Sequence, residues 1–159
     1  MVHVHPFHTL HVEATRRLFP DATLYGTARH RRRLSSLPWT GPPVEAWGED
    51  HPLVDVFDLS VPDGVDFVCA DERVHVASVL VRHRSDGIVH VDDTLNVLAA
   101  PGLLRPLLPQ SSLRMHPMLS RALKPEAGAA DAYAAWARML ASRWSGTRIV
   151  CAAHSAVRE

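Results

Sequence analysis

Three histidines near the start of the chain are spaced in a way that suits a metal ion. Residues 3–8 read His-Val-His-Pro-Phe-His, an H-x-H-x-x-H pattern. Neutral imidazole is the commonest metal-ligating side chain, so this pattern predicts a metal site. If residues 2–5 form a strand, His3 and His5 point to the same face. Pro6 then favours a turn that brings His8 back toward them.

A metal site needs ligands from more than one segment, and the chain offers three more. His75 opens one predicted strand, Asp93 follows the next strand, and His154 follows the last. Ligands at strand ends can converge on one edge of a sheet at metal-bonding distances. Each of the three also allows a plainer interpretation: His75 as a surface residue, Asp92-Asp93 as a cap, and His154 as part of a solvated tail.

The predicted elements that position these residues alternate between strands and helices. In the first third of the chain, the pattern predicts a helix over 8–19, a strand over 22–25, and a helix over 28–36 that Thr27 caps. Four prolines and two glycines make 38–52 a loop. The run 29–33 is either a binding patch for phosphate or acid, or a solvated helix face.

The remaining two thirds contain the clearest local patterns. Two runs rich in β-branched residues, 74–83 and 88–91, flank a turn signal and predict a hairpin. Alternation over 65–70 predicts another strand, and 53–60 a weaker one. An apolar stripe predicts a long helix over 127–144, followed by a strand over 147–153. This order predicts layered α/β or α+β architecture.

The ligand-type residues, taken in order, resemble the metallo-β-lactamase-fold hydrolases. That superfamily has a hexad H-x-H-x-D-H, a later histidine before a serine-containing strand, an aspartate in a G-D-T-L-like motif, and a late histidine. The matching segments of this chain are residues 3–8, His75-Val76-Ala77-Ser78, Asp92-Asp93-Thr94-Leu95 and Ala153-His154. The resemblance covers nearly the whole chain.

The resemblance implies an αββα sandwich and one or two ions of zinc, iron or manganese. By that resemblance His3, His5 and His75 would hold one ion, and His8 with His154 would hold the second. Asp93 would bridge the two ions and be the catalytic carboxylate, and it matches better than Asp92 because Thr94 follows it. The implied activity is hydrolysis of a small-molecule substrate by a metal-bound hydroxide.

The chain departs from the family pattern in three places. The later family motif often has two histidines around a glycine, and this chain has only His75 there. Phe7 stands where the family hexad has aspartate, and phenylalanine can neither bind a metal nor carry a proton. The family also has several strands before its hexad, so the expected sandwich is shortened at its N-terminus. A shortened sandwich would expose a sheet edge and an apolar face, which predicts a homodimer.

Composition narrows the functional classes further. The 159 residues suit a single domain spanning 1–159, and 47% of them are hydrophobic. Lys plus Arg equals Asp plus Glu at 17 each, so no net charge favours nucleic acid or an anionic membrane. No signal peptide or membrane-spanning run is recognisable, which predicts a cytoplasmic protein without a membrane partner.

Three functions remain open on the sequence. The first is a metal-dependent hydrolase of unknown substrate, weakened by Phe7. The second is a non-catalytic descendant of the same fold that acts as a binding or interaction module. The third is a small α/β protein whose histidines have no joint role.

Overall fold

The computed structural model describes residues 1–99, 111–153 and 157–158. The chain forms two compact units, which we call unit 1 (residues 1–54) and unit 2 (residues 55–159). The hexad lies in unit 1, whereas His75, Asp93 and His154 belong to unit 2.

Unit 1 is built from short elements around the hexad. Its elements are β1 (Val2–His3), α1 (Val12–Leu18), β2 (Tyr25–Gly26), α2 (Ala28–Arg33) and a 3-10 helix (Val44–Ala46). β1 and β2 pair in parallel. The Thr27 side chain accepts a hydrogen bond from the backbone N–H of His30, which confirms the predicted cap of α2.

Two elements of unit 1 are shorter than predicted. The first strand ends at His3 instead of residue 5, because a turn begins at His5. The first helix begins at Val12 instead of residue 8, because the N–H groups of His8 and Thr9 bond within the preceding turn, to His5 O and Phe7 O. His5 and His8 therefore lie in a turn, and His3 alone lies in the strand.

Unit 2 contains most of the regular structure. Its elements are β3 (Phe57–Ser60), β4 (Leu80–His83), β5 (Ile88–Val91), β6 (Leu95–Ala99), β7 (Ser111–Met115), α3 (Leu119–Ala122), α4 (Ala129–Arg143), β8 (Ile149–Ala152) and β9 (Val157–Arg158). Five strands form a sheet in the order β3-β4-β5-β8-β9, and β6 pairs with β7 separately. β5 and β8 run parallel, and the other pairs are antiparallel.

The predicted hairpin is confirmed, with one change. β4 and β5 pair antiparallel, with Val81 opposite His90. However, β4 begins at Leu80, so residues 74–79 are not part of the strand. His75 therefore lies in the segment that leads into β4, not at the start of the strand itself.

A helix-on-sheet core holds unit 2 together. α4 buries Tyr133, Trp136 and Leu140 against sheet residues such as Leu80 and Val89. Burial of this kind contributes about 1.5–3 kcal/mol per large apolar side chain. Among the described residues, no helix has the length and apolar character needed to cross a membrane.

The predicted strand over 65–70 is wrong. Val65 makes only an isolated bridge to Leu123, and the neighbouring Asp66 N–H donates to Ala122 O, in the last turn of α3. Since these backbone groups bond to a helical segment, no continuous strand pairing forms there. β7 was not predicted from the sequence, since its five residues include only two large apolar ones, Leu113 and Met115.

Candidate metal centre

A tight turn brings His5 and His8 together in unit 1. The His8 N–H donates to the His5 carbonyl oxygen over 3.2 Å, and the Thr9 N–H donates to Phe7 O over 3.0 Å. The centroids of the two imidazole rings are 4.1 Å apart. His5 is only 1% exposed, whereas His8 is exposed. The turn thus presents one buried and one accessible imidazole side by side.

The Nδ1 atom of His5 accepts a hydrogen bond from the Phe7 N–H, over 3.3 Å. In the neutral imidazole this places the ring proton on Nε2. A metal at Nδ1 would take the same lone pair, and a metal at Nε2 would require the proton to move to Nδ1. Metal binding by either nitrogen therefore breaks the bond to the Phe7 N–H.

His3 has different neighbours. Its ring centroid lies 5.3 Å from that of His30 and 5.8 Å from that of Trp39. Burial, and then the nearby N-terminal charge, lower the pKa of His3 below its usual value. The structure thus places His3 in a ring cluster and pairs His5 with His8 instead.

Asp92 and Asp93 directly follow β5 in unit 2, and both are buried. Thr94 fixes the turn that they form. Its hydroxyl accepts the Ser78 N–H over 2.9 Å and lies 3.0 Å from Val76 O, to which it donates. The aspartate turn is therefore tied to the segment that contains His75.

The parallel pairing of β5 and β8 places the ends of both strands at one edge of the sheet. Val91 lies opposite Ala152, and the Ala153 N–H donates to Val91 O over 3.0 Å. The chain therefore leaves β5 and β8 side by side at that edge. His154 itself lies outside the described residues.

His75 is exposed, and its Nδ1 lies 3.3 Å from the carbonyl oxygen of Glu72. Because a carbonyl oxygen can only accept, this contact requires the proton on Nδ1. In that tautomer Nε2 is the unprotonated nitrogen of His75.

The donor set suits a metal ion of the predicted kind. Among the described residues, those with ligand atoms suited to such a site are His5 and His8 in unit 1 and Asp92 and Asp93 in unit 2. His3 and His75 are not among them. Imidazole and carboxylate together fit zinc, iron and manganese.

Sequence reasoning missed the residues that support these ligands. Thr94 was used only to choose between two aspartates, although it anchors their turn. Arg29 and His30 were assigned to a basic run, yet both are buried. The interpretation of that run as a solvated face holds for Arg32 and Arg33, which are exposed. Thr27, which caps α2 three residues before His30, is the sequence feature that could have identified His30 as buried and hydrogen-bonded.

Comparison with solved structures shows the fold. The crystal structure of the DIM-1 metallo-β-lactamase exposed to ceftazidime superposes with a TM-score of 0.54 at 17% sequence identity. The match covers 99% of this chain but 60% of that one. The chain therefore has the metallo-β-lactamase-like α/β fold predicted from its sequence. No protein-family model matches the chain, and no curated protein matches it significantly.

Proposed function

We propose that the chain is a metal-dependent hydrolase whose ion is held by His5, His8 and Asp93. The observation that carries the proposal is where the suitable donors come from. The described histidines and aspartates that suit a metal ion come from the two segments that resemble the family hexad and the family aspartate motif. The shared fold supports the same assignment.

A bound divalent ion would supply Lewis-acid chemistry, polarising the bond to be broken and lowering the pKa of water. The residues of the chain have separate parts in the proposal. The accessible His8 and the buried His5 hold the ion, and Asp93 is the catalytic carboxylate. Phe7 offers no ligand atom, which favours one firmly held ion. His75 and His154 are proposed as further ligands.

The test is metal content measured by elemental analysis on the purified chain. We expect about one equivalent of zinc, iron or manganese in the wild type, and its loss in His5→Ala and in Asp93→Asn. His11→Ala is the matched control, since His11 is an exposed imidazole of the same segment. Metal that persists in both ligand variants, or that is absent from the wild type, would contradict the proposal.

Activity is tested next on the loaded protein. Esters, thioesters, lactones and phosphodiesters are suitable substrates, since each presents a polarisable carbonyl or phosphoryl group. Ceftazidime belongs in the same screen, because the DIM-1 crystal was exposed to it. Hydrolysis that requires added metal and disappears in Asp93→Asn would support the hydrolase, whereas metal binding without hydrolysis of any of these would favour a non-catalytic site.

One observation favours a second candidate, a non-catalytic binding module. Unit 2 contains an almost wholly apolar cavity of about 310 Å³ between α4 and the strands. Leu113 and Met115, at its rim, are 42% and 45% exposed. A cavity of this size can hold a small apolar ligand. Saturable binding of an apolar fluorescent dye, reduced in Ala141→Phe and unaffected by chelator, would support this module.

A further inference from the structure

Helix α2 carries two buried residues within a basic run. Arg29 is 7% exposed and His30 is fully buried, whereas Arg32 and Arg33 on the same helix are exposed. Charged and ionisable side chains are rarely buried without a specific partner. Each of these two residues has a partner in the turn that contains His5 and His8.

Arg29 holds the middle of that turn. Its Nη1 donates to the carbonyl oxygen of Pro6 over 3.2 Å. The same guanidinium lies over the ring of Phe7, with Cζ 4.2 Å from the ring centroid. A cation over an aromatic face is attracted by the ring quadrupole, and Arg is the cation that stacks best. One side chain therefore fixes both a carbonyl and the neighbouring ring.

His30 holds the end of the same turn. Its Nε2 lies 3.1 Å from the carbonyl oxygen of His8, and its Nδ1 lies 2.8 Å from the Thr27 hydroxyl. Because the His8 carbonyl can only accept, the His30 ring proton is on Nε2, and Nδ1 accepts from the Thr27 hydroxyl. Both ring nitrogens are thus satisfied in one neutral tautomer, which fixes the ring orientation.

Together these contacts fix the backbone on both sides of Phe7. We propose that Arg29 and His30 are positioning residues that hold the His5–His8 turn in the conformation in which the two imidazoles meet. The inference rests on the proposed metal site. Groups outside the ligands commonly set ligand direction, and losing them typically costs about 10–100-fold in metal affinity.

The experiment is a Co²⁺ titration followed by visible absorption, with Co²⁺ as the spectroscopic probe. Arg29→Met keeps an apolar stem but loses the guanidinium, and His30→Leu loses the donor to His8. We expect each to bind Co²⁺ about 10–100-fold more weakly than the wild type. His30→Gln supplies an amide N–H in place of the Nε2–H and should recover part of the affinity. Arg32→Met, on the exposed face of α2, is the matched control and should bind like the wild type.

Two further measurements separate positioning from a general loss of structure. The melting temperature and circular dichroism in chelator show whether each variant is folded. Amide hydrogen exchange of His8 and Thr9 in the metal-free protein should be faster in Arg29→Met and His30→Leu, because these two N–H groups close the turn. Should either variant unfold, the conservative Arg29→Lys and His30→Gln decide, by the same exchange and Co²⁺ readouts.

The outcomes are distinct. Weaker Co²⁺ binding in folded variants, with partial rescue by His30→Gln, supports the positioning role. Wild-type affinity and unchanged exchange in Arg29→Met and His30→Leu overturn it and leave the proposed metal site intact. A wild type that binds no Co²⁺ overturns the proposed metal site, and the positioning role with it.

Discussion

At the scale of single residues, His30 makes the stability of the chain depend on pH. The pKa of His30 is lowered from 6.5 to about 4, and burial is the largest cause. The His8 carbonyl opposes the shift, whereas the nearby His3, His5 and Arg29 add to it. Because the folded pKa lies below the unfolded one, the unfolded chain takes up a proton first as the pH falls. The contribution of His30 to the free energy of unfolding is therefore fully present above pH 6.5. This contribution is lost progressively toward pH 4, by about 3 kcal/mol in all.

Urea unfolding in chelator between pH 7.5 and pH 4 measures this loss. Glutamine cannot titrate, so the unfolding free energy of His30→Gln should fall less steeply over the same pH range. The difference in slope corresponds to about one proton taken up on unfolding. His3, whose pKa is also lowered, contributes with the same sign and remains in both proteins. Equal slopes in the two proteins would contradict the assignment to His30.

The residue scale also shows how far the sequence alone could reach. The spacing of the hexad predicted that His8 folds back onto His5, because Pro6 favours a turn. It could not predict that His3 packs on His30 and Trp39, since those rings come from segments more than twenty residues away. Burial of Arg29 was equally inaccessible, because a run of arginines has no helical periodicity that marks one of them as buried.

At the scale of elements, the sequence predicted those strands and helices whose apolar residues repeat at a regular spacing. The hairpin of β4 and β5 and the helix α4 were predicted because β-branched runs and an apolar stripe each bury one face. β7 was missed because Leu113 and Met115 are its only large apolar residues, and its pairing with β6 is made by backbone hydrogen bonds, which leave no pattern in the sequence. Residues 65–70 are the opposite case, because they alternate in polarity but form no strand. Val65 and Cys69 are buried there, yet the segment makes only an isolated bridge.

The close contact between Gly64 and α4 gives a prediction at this scale. Gly64 has φ +70°, and a Cβ there would overlap the Ala129 carbonyl oxygen and lie 2.8 Å from the Tyr133 nitrogen. Gly128 has φ +88° with open space around it. Gly128→Ala should therefore cost about 1–2 kcal/mol for the left-handed backbone alone. Gly64→Ala should cost clearly more, because it adds a steric overlap with the backbone of α4.

Chemical denaturation of the two variants separates strain from overlap. Both glycines belong to unit 2, so the same unfolding transition reports both free energies. Equal losses for Gly64→Ala and Gly128→Ala would mean that the overlap is relieved by a small shift of the helix.

At the scale of the whole molecule, the proposed ligands are divided between the two units. His5 and His8 belong to unit 1, and Asp93 belongs to unit 2. The fold was predicted from the resemblance that the ordered motifs have to the metallo-β-lactamase-fold hydrolases, and the match to a solved structure of that fold confirms the prediction. The homodimer and the cytoplasmic location predicted from the sequence stay predictions, and light scattering would test the first.

A metal ion bound by His5, His8 and Asp93, as proposed, should protect the segments that supply its ligands. A ligand that binds only the folded state stabilises it by about 2.7 kcal/mol at a free concentration one hundred times its dissociation constant. We therefore expect Zn²⁺ to slow amide hydrogen exchange both in residues 1–54 and around Thr94. Asp93→Asn removes a ligand of unit 2 only, yet it should abolish the Zn²⁺ effect in unit 1 as well. Protection of unit 1 that survives in Asp93→Asn would mean that the histidines bind zinc without the aspartate, which would exclude a shared ion.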